Sequence, residues 1–291
     1  MHNEEKNKTI GGMLYLVATP IGNLSDITER AKKVLSEVDF VAAEDTRNSG
    51  KLLACLEIKQ EIISYFEHNK RERGELILKR LQGGESCALI TDAGMPAISD
   101  PGEDLVALCA ENGIPVTVVP GCCAAVSALA LSALSTARFT FEGFLPTDNR
   151  ARQKRLSELE YEARTMILYE APHRLEKTLK ELHEILGDRK IAICRELTKI
   201  NEEIFRTTLN GALAFYSENK PRGEYVLILE GGEAAGVPLK KSAPSPTDGM
   251  SGEEMVDYFS AQGLARMDAI KAAAKALGIP KNELYRELHK T

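Results

Sequence analysis

Several familiar signatures are missing from this sequence, and each absence narrows the field. There is no GxxxxGK[ST] run and no GxGxxG after the first strand-like segment, so neither a Walker nucleoside triphosphatase nor a nicotinamide-binding Rossmann domain is indicated. HExxH and GxSxG are also absent, which disfavours the metalloproteases and hydrolases built on them. None of the six cysteines (Cys55, Cys87, Cys109, Cys122, Cys123, Cys194) forms a CxxC pair. Most sit in apolar segments and read as small buried hydrophobes in a reducing compartment, so no metal site is expected. No apolar run approaches the roughly 18–20 residues of a membrane span. The opening MHNEEKNKTIGG has no apolar signal core, so residues 1–12 are expected to be a disordered tail on a cytoplasmic protein. A formal net charge of −6 argues against bulk attraction to nucleic acid but leaves room for a local basic patch.

What the sequence does contain is an alternation. At 291 residues, 43% hydrophobic and 27% charged, the chain has the length of about two ordinary domains. Its organising stretch is Leu89 to Gly102, LITDAGMPAISDPG. An apolar run ends at Ile90, a turn rich in Gly, Pro and Asp follows, and helical spacing resumes from Glu103 to Asn112. Strand, stiff polar loop and helix in that order put the loop at the carboxyl edge of a sheet, where open α/β folds bind ligands. We take it as the floor of a small-molecule site. Strands are expected at 13–19, 39–43, 62–65, 87–91 and 115–119. Helices are expected over 27–36, capped by Ser25 or Asp26, and over 49–56 and 69–81. This rhythm is that of βαβ units and a mainly parallel sheet, forming one domain over 13–135.

A second α/β block, 136–231, is expected to hold helices over 150–163, 175–186 and 211–219. Its strands fall at 165–169, 190–194, 203–209 and 225–230, with mixed directions. Residues 232–252 carry Gly, Pro, Ser and Thr with little apolar pattern and read as a linker. Beyond it a helical domain, 253–291, is expected as three short helices over 253–262, 266–277 and 281–290. The tight Gly278-Ile279-Pro280 turn suits a helix-turn-helix or a helical cap equally.

Six strands end in polar or turn-rich clusters: TPIGN, EDTR, TDAGMP, VPGCCAA, YEAPHR and CRELTK. In a parallel sheet such ends share one edge. The segments TPIGNLSDIT, AAEDTRNSG, TDAGMPAISDPG, the VPG turn, FEGFLP with basic residues after it, YEAPHRL, RELTK and RGEYVLILEG resemble the tetrapyrrole methylase superfamily. The resemblance is strongest to the branch that methylates a cytidine 2′-hydroxyl in 16S ribosomal RNA, and it runs in order from about residue 13 to 231. One departure is that Cys122 stands where the family's PGPxA turn has its second proline. The resemblance implies S-adenosylmethionine as methyl donor, in a cofactor cleft between the two α/β domains. It also implies 16S rRNA in the small ribosomal subunit as substrate, and a homodimer. Methylation of a small tetrapyrrole on the same fold is the alternative, and a non-enzymatic nucleic-acid binder is a third reading.

On that resemblance Asp92, Ala93 and Gly94 line the donor's methionine part, Ser99 and Asp100 continue the wall, and Pro20 stands on the first-strand side. Gly121 and Ala124 offer a helix start whose amides suit a carboxylate. Tyr169, Gly223 and Tyr225 close from the second domain. A ribose hydroxyl is a poor nucleophile, so Glu44, Asp45 and Glu196 are candidate bases, with Arg47 orienting a carboxylate or meeting phosphate. Arg150, Arg152, Lys154 and Arg155, with Arg174 and Lys199, are the expected RNA contacts. Each of these residues also has a plainer reading, as turn aspartate, helix cap, core residue or surface ion pair.

Overall fold

The strand segments of the first half are apolar almost throughout because they are covered on both sides. The computed structural model describes residues 8–232, 250–261, 263–277 and 279–288. Strands β1 (Leu14–Val17), β2 (Phe40–Ala43), β3 (Glu61–Ser64), β4 (Cys87–Ile90) and β5 (Val116–Val119) form an all-parallel sheet in the order β3-β2-β4-β1-β5. Helices α1 (Glu29–Glu37) and α2 (Thr46–Cys55) cover one face, where Val34, Leu35 and Leu53 meet Val17, Val41 and Ile90. Helices α3 (Lys70–Gln82) and α4 (Glu103–Glu111) cover the other, where Ile77, Leu81 and Leu105 meet Leu14, Phe40 and Leu89. Every residue of β2 and β4 is buried, as expected for central strands of a parallel sheet.

The second sheet is mixed. Its strands are β6 (Phe139–Phe144), β7 (Thr165–Glu170), β8 (Lys190–Arg195), β9 (Glu203–Thr208) and β10 (Tyr225–Leu229), in the order β6-β7-β10-β8-β9. Only β6 and β7 run parallel. Helices α6 (Asn149–Leu159), α7 (Pro172–Leu186) and α8 (Leu209–Glu218) bury Leu156, Leu175, Leu179, Leu182 and Tyr216 on one face. The opposite face receives α5 (Ala124–Leu131), the helix that follows β5 of the first sheet. Ala125, Ala128 and Leu129 pack there on Ile167, Ala192, Val226 and Ile228. Full burial of a leucine such as Leu129 gains about 1.5–3 kcal/mol, so the nearly all-apolar α5 ties the first half to the second sheet.

The chain divides into two compact units, Met1–Val237 and Pro238–Thr291, and both sheets lie in the first. The second holds α9 (Gly252–Ala261), α10 (Arg266–Leu277) and α11 (Lys281–Leu288), packed on Met255, Val256, Ile270, Ala273 and Leu284. The expected linker lies almost entirely outside the described residues, as do residues 1–7 of the expected tail. The end of that tail is anchored: the Thr9 hydroxyl donates to Glu37 at 2.8 Å, and the Ile10 amide donates to the Tyr15 hydroxyl at 2.9 Å. Among the described residues no helix is long and apolar enough to cross a membrane.

Four local expectations need correction. Thr28, not Ser25 or Asp26, caps α1, accepting from the Ala31 amide at 3.0 Å; Ser25 and Asp26 belong to a separate 3-10 turn, Leu24–Asp26. Helix α2 starts at Thr46, three residues early, because the Asp45 carboxylate accepts from the Arg47 amide. Helix α6 stops at Leu159 rather than at 163. Strand β6 was not expected at all: an edge strand whose Phe139 and Phe144 stay exposed lacks the continuous apolar run of its neighbours.

Candidate functional site

A cavity of about 510 Å³ opens where the carboxyl ends of the parallel strands meet the second sheet. The loop after β4 supplies Ala93, Gly94, Met95, Ile98, Ser99 and Asp100. Ile21 comes from the loop after β1, and Cys123 and Ala124 from the start of α5. The second sheet adds Phe144, Tyr169 to His173, Cys194, Leu197 and Glu224 to Val226.

On the parallel side the loops are locked to one another. Thr19 and Gly94 form an isolated bridge, each amide donating to the other's carbonyl at 2.9 and 3.1 Å. Gly94 has φ +86°, and a Cβ there would sit 3.3 Å from Ile21 and 3.7 Å from the Cys122 carbonyl. Its polar atoms are thus engaged by Thr19, and its contribution to the site is shape. Ala97 and Ser99 both adopt left-handed backbone (φ +65° and +66°), a strain of about 1–3 kcal/mol each that the surrounding loop holds in place.

The charge on this side is acidic and largely unspent. Burial, then the nearby Glu44 and Asp92, push the Asp100 carboxyl up to about 6. Burial, with Asp92 and Asp45, raises Glu44 as well. Asp92 accepts from the Asn48 side chain at 2.8 Å. Neither Glu44, Asp92 nor Asp100 has an ion pair among the described residues. Beside them Cys123 gives α5 no side-chain cap, so part of the helix start is left open. Burial pushes the nearby Tyr169 hydroxyl up to about 12.

On the mixed-sheet side charge meets charge. Buried Glu170 accepts from the Ala171 amide at 2.9 Å, from the Thr178 hydroxyl, and pairs with Arg174 at 3.4 Å. Arg174 also donates to the Leu145 carbonyl. Lys199 Nζ bridges Glu196 at 3.0 Å and Glu224 at 2.7 Å, and the Glu224 amide donates to Glu196 at 2.9 Å. Burial works to raise the Glu196 carboxyl, but that amide and Lys199 outweigh it, and its pKa ends below the ordinary value.

The structure brings Ala93, Gly94, Ser99, Asp100, Ala124, Tyr169 and Tyr225 of the expected donor set to one cavity. Asp92 stands behind them, felt through its charge. Pro20, Gly121 and Gly223 are not in the lining. Gly121 lies against Ala18, with room for no Cβ (2.9 Å), and Gly223 against the Glu196 side chain (2.6 Å). Among the expected bases, Asp45 is spent: it caps α2 and pairs with Arg47 at 2.8 Å, and those bonds hold its carboxyl at about 2. Arg47 makes that same pair while its side chain stays 84% exposed, and Glu196 pairs with Lys199. Glu44 has no ion pair among the described residues and lies outside the cavity lining.

The expected RNA set divides as sharply. Arg150 and Lys154 are exposed. Arg152 is 2% exposed, 2.7 Å from Glu181 and donating to Thr178 Oγ1 at 2.7 Å, so it faces the core. Arg155 is held by Glu142 and Glu158, Arg174 by Glu170, and Lys199 by its two glutamates. The lining residues that sequence reasoning missed include Met95, Ile98, Phe144 and Leu197. They carry no polar signal; the available clue was an apolar side chain inside an otherwise turn-like motif.

Comparison with known proteins follows this geometry. The family model of tetrapyrrole (corrin/porphyrin) methylases matches residues 13–212. A ribosomal RNA small subunit methyltransferase I from Synechocystis is 46% identical over 278 residues, covering 94% of this chain and 96% of that protein. One of the same name from Thermotoga maritima is 45% identical over 222 residues, which are 76% of this chain and all of that relative. Among solved structures, a cobalt precorrin-4 methyltransferase superposes with TM-score 0.56 at 21% identity, covering 75% of this chain and 95% of its own, a likeness of fold.

Proposed function

The chain belongs to the tetrapyrrole (corrin/porphyrin) methylase family, and on that premise we propose that it transfers a methyl group from S-adenosylmethionine to the 2′-hydroxyl of a cytidine in 16S ribosomal RNA of the small subunit. The observation that carries the donor half is that one cavity is faced by Asp100, an acid without an ion pair among the described residues, and by an open helix start. The donor set fits this molecule. Asp100, with Asp92 and Glu44 behind it, suits the sulfonium and ammonium charges. The start of α5 suits the carboxylate, and Ile21, Leu197, Val226 and Tyr225 offer apolar walls for adenosine. When bound, the donor supplies an electrophilic methyl group that needs no further activation.

What remains for the protein is alignment, exclusion of water and removal of one proton. The bridge between Thr19 and Gly94 and the left-handed Ala97 and Ser99 hold Asp100 at its place in the wall. Glu44, outside the lining and with its carboxyl raised by burial and by Asp92 and Asp45, is the candidate base without an ion pair among the described residues. The RNA half is supported by relatives named for small-subunit rRNA at 45–46% identity, against a tetrapyrrole enzyme at 21%. Exposed Arg150 and Lys154 supply local positive charge despite the net charge of −6. A homodimer and a cytoplasmic location belong to the same reading.

The test offers the purified protein labelled S-adenosylmethionine with 30S subunits lacking the modification, and separately with a porphyrinoid. Label in a 2′-O-methylcytidine of 16S rRNA is the expected result. Label in the pigment alone would replace the RNA reading with the tetrapyrrole one. Calorimetry with the donor showing no heat would remove both.

A further inference from the structure

Phe144 is turned toward the cavity by a defect built into its strand. In a regular strand Phe141 and Gly143 would share one face, with Glu142 and Phe144 on the other. The register of β6 against β7 slips between Phe141 and Gly143, leaving Glu142 as the extra residue of a bulge, a device that re-aims the side chains after it. As a result Phe141 and Phe144 both lie edge-on to the Tyr169 ring, with centroids 5.1 and 5.5 Å away.

Each part of the bulge is fixed. Glu142 accepts from the Thr140 hydroxyl at 2.7 Å and pairs with Arg155 of α6. Gly143 has φ +61°, and a Cβ on it would come 3.4 Å from the Ser99 hydroxyl of the loop after β4. Tyr169, which backs the ring, is itself fixed in the sheet between Phe144 of β6 and Val226 of β10. Yet Phe144 remains 53% exposed. Ile98, from the other half of the unit, lines the same cavity and is 45% exposed. These two are the large apolar residues of the lining that are left open to solvent. Helix α6, with exposed Arg150 and Lys154, begins five residues beyond Phe144.

A rigid aromatic face, an aliphatic neighbour and cations a few residues away are the parts that take an unstacked base and its phosphates. Resting on the RNA reading above, we propose that Phe144 is the platform on which the base of the target nucleotide stacks, flipped out of its RNA and flanked by Ile98, so that its ribose hydroxyl is presented to the donor's methyl group.

The experiment compares wild type with F144A, F144L and F144Y in methyl transfer to unmodified 30S subunits, with donor affinity measured by calorimetry. F144A and F144L are expected to lose roughly 5- to 150-fold in kcat/KM for the subunits, and F144Y to stay within about threefold of wild type. Donor affinity should not change in any of them. The chain has no tryptophan, so F144W introduces a single indole at this position. Its fluorescence should be quenched by oligocytidylate and not by the donor alone. Full activity in F144A would overturn the platform, as would donor affinity falling in step with transfer, which would place adenosine on the ring. If wild type itself leaves 30S subunits unlabelled, the RNA reading falls and takes the stacked base with it; if wild type labels them and F144A does so equally, only the platform falls.

Discussion

The two sheets of the large unit end in polar clusters of similar composition, and they use them in opposite ways. At the carboxyl edge of the parallel sheet Glu44, Asp92 and Asp100 have no ion pairs among the described residues, and burial together with neighbouring acids raises the carboxyls of Glu44 and Asp100. At the corresponding edge of the mixed sheet Glu170, Arg174, Glu196, Lys199 and Glu224 neutralise one another. The first arrangement is costly unless a cation completes it, and the second is complete already. On the proposed reading, what marks the binding wall is unsatisfied charge and not charge density after a strand.

The largest effect that would test this contrast is on stability. Arg152 lies within the basic run that sequence alone assigns to RNA, but it is buried against Glu181 and Thr178. R152A leaves Glu181 only its longer, 3.8 Å contact with Lys177 and should cost about 3 kcal/mol in denaturant unfolding. An unfolding midpoint equal to wild type, with RNA binding lost, would return Arg152 to the RNA surface and blur the difference between the halves. Next comes shape on the parallel side. G94V forces a β-branched residue into φ +86° beside Ile21 and should weaken donor binding by about 100-fold, with the far-ultraviolet spectrum kept. Normal donor affinity in G94V would show that the loop after β4 lies off the donor's path.

Much of this architecture was legible. The alternation of short apolar runs with helical spacing marked the parallel sheet, since strands buried on both faces cannot hide their composition. The loop that carries Gly94, Ser99 and Asp100 was legible from its stiff turn chemistry at a strand end, and the structure brings it to the cavity. What failed was pairing. Nothing local distinguishes Arg150, which is free, from Arg152, which is buried, except helical phase: residue 152 falls with Leu156 and Leu159 on the inner face of α6. The ion pairs of Asp45 with Arg47 and of Glu196 with Lys199 were not legible either, because adjacency in sequence does not announce an ion pair. Strand β6 escaped because its bulge breaks the alternation by which an edge strand is recognised.

A smaller effect should separate binding from folding on the acidic wall. Asp100 titrates near 6 in the folded chain, above its ordinary value of 3.8. The fold therefore binds this proton more tightly than the unfolded chain does. Its contribution to stability is full at pH below 3.8 and is lost as pH rises through about 6. The donor needs the opposite form, the carboxylate. Donor affinity should therefore fall as pH drops from 7 to 5, while the ligand-free protein gains stability from this group over the same range. D100N should weaken the donor by roughly 10- to 100-fold at pH 7 and flatten its pH dependence, without lowering the melting temperature. A mutant that melts earlier and binds normally would make Asp100 part of the scaffold and erase the asymmetry between the sheets.

The smallest effect concerns the surface next to the buried arginine. Lys154 is exposed on α6, two residues beyond Arg152, and no ion pair holds it among the described residues. As a phosphate contact it contributes through counterion release, not geometry. K154A should leave the unfolding curve in place, reduce affinity for 30S subunits by about threefold to tenfold, and lower the slope of log K against log salt by about one. The pair R152A and K154A then reads out the same helix in two currencies, stability from its inner face and salt-dependent binding from its outer one. An unchanged salt slope in K154A would leave Arg150 as the exposed cation of α6 to meet the phosphates, because Arg155, Arg174 and Lys199 are already held by acidic partners.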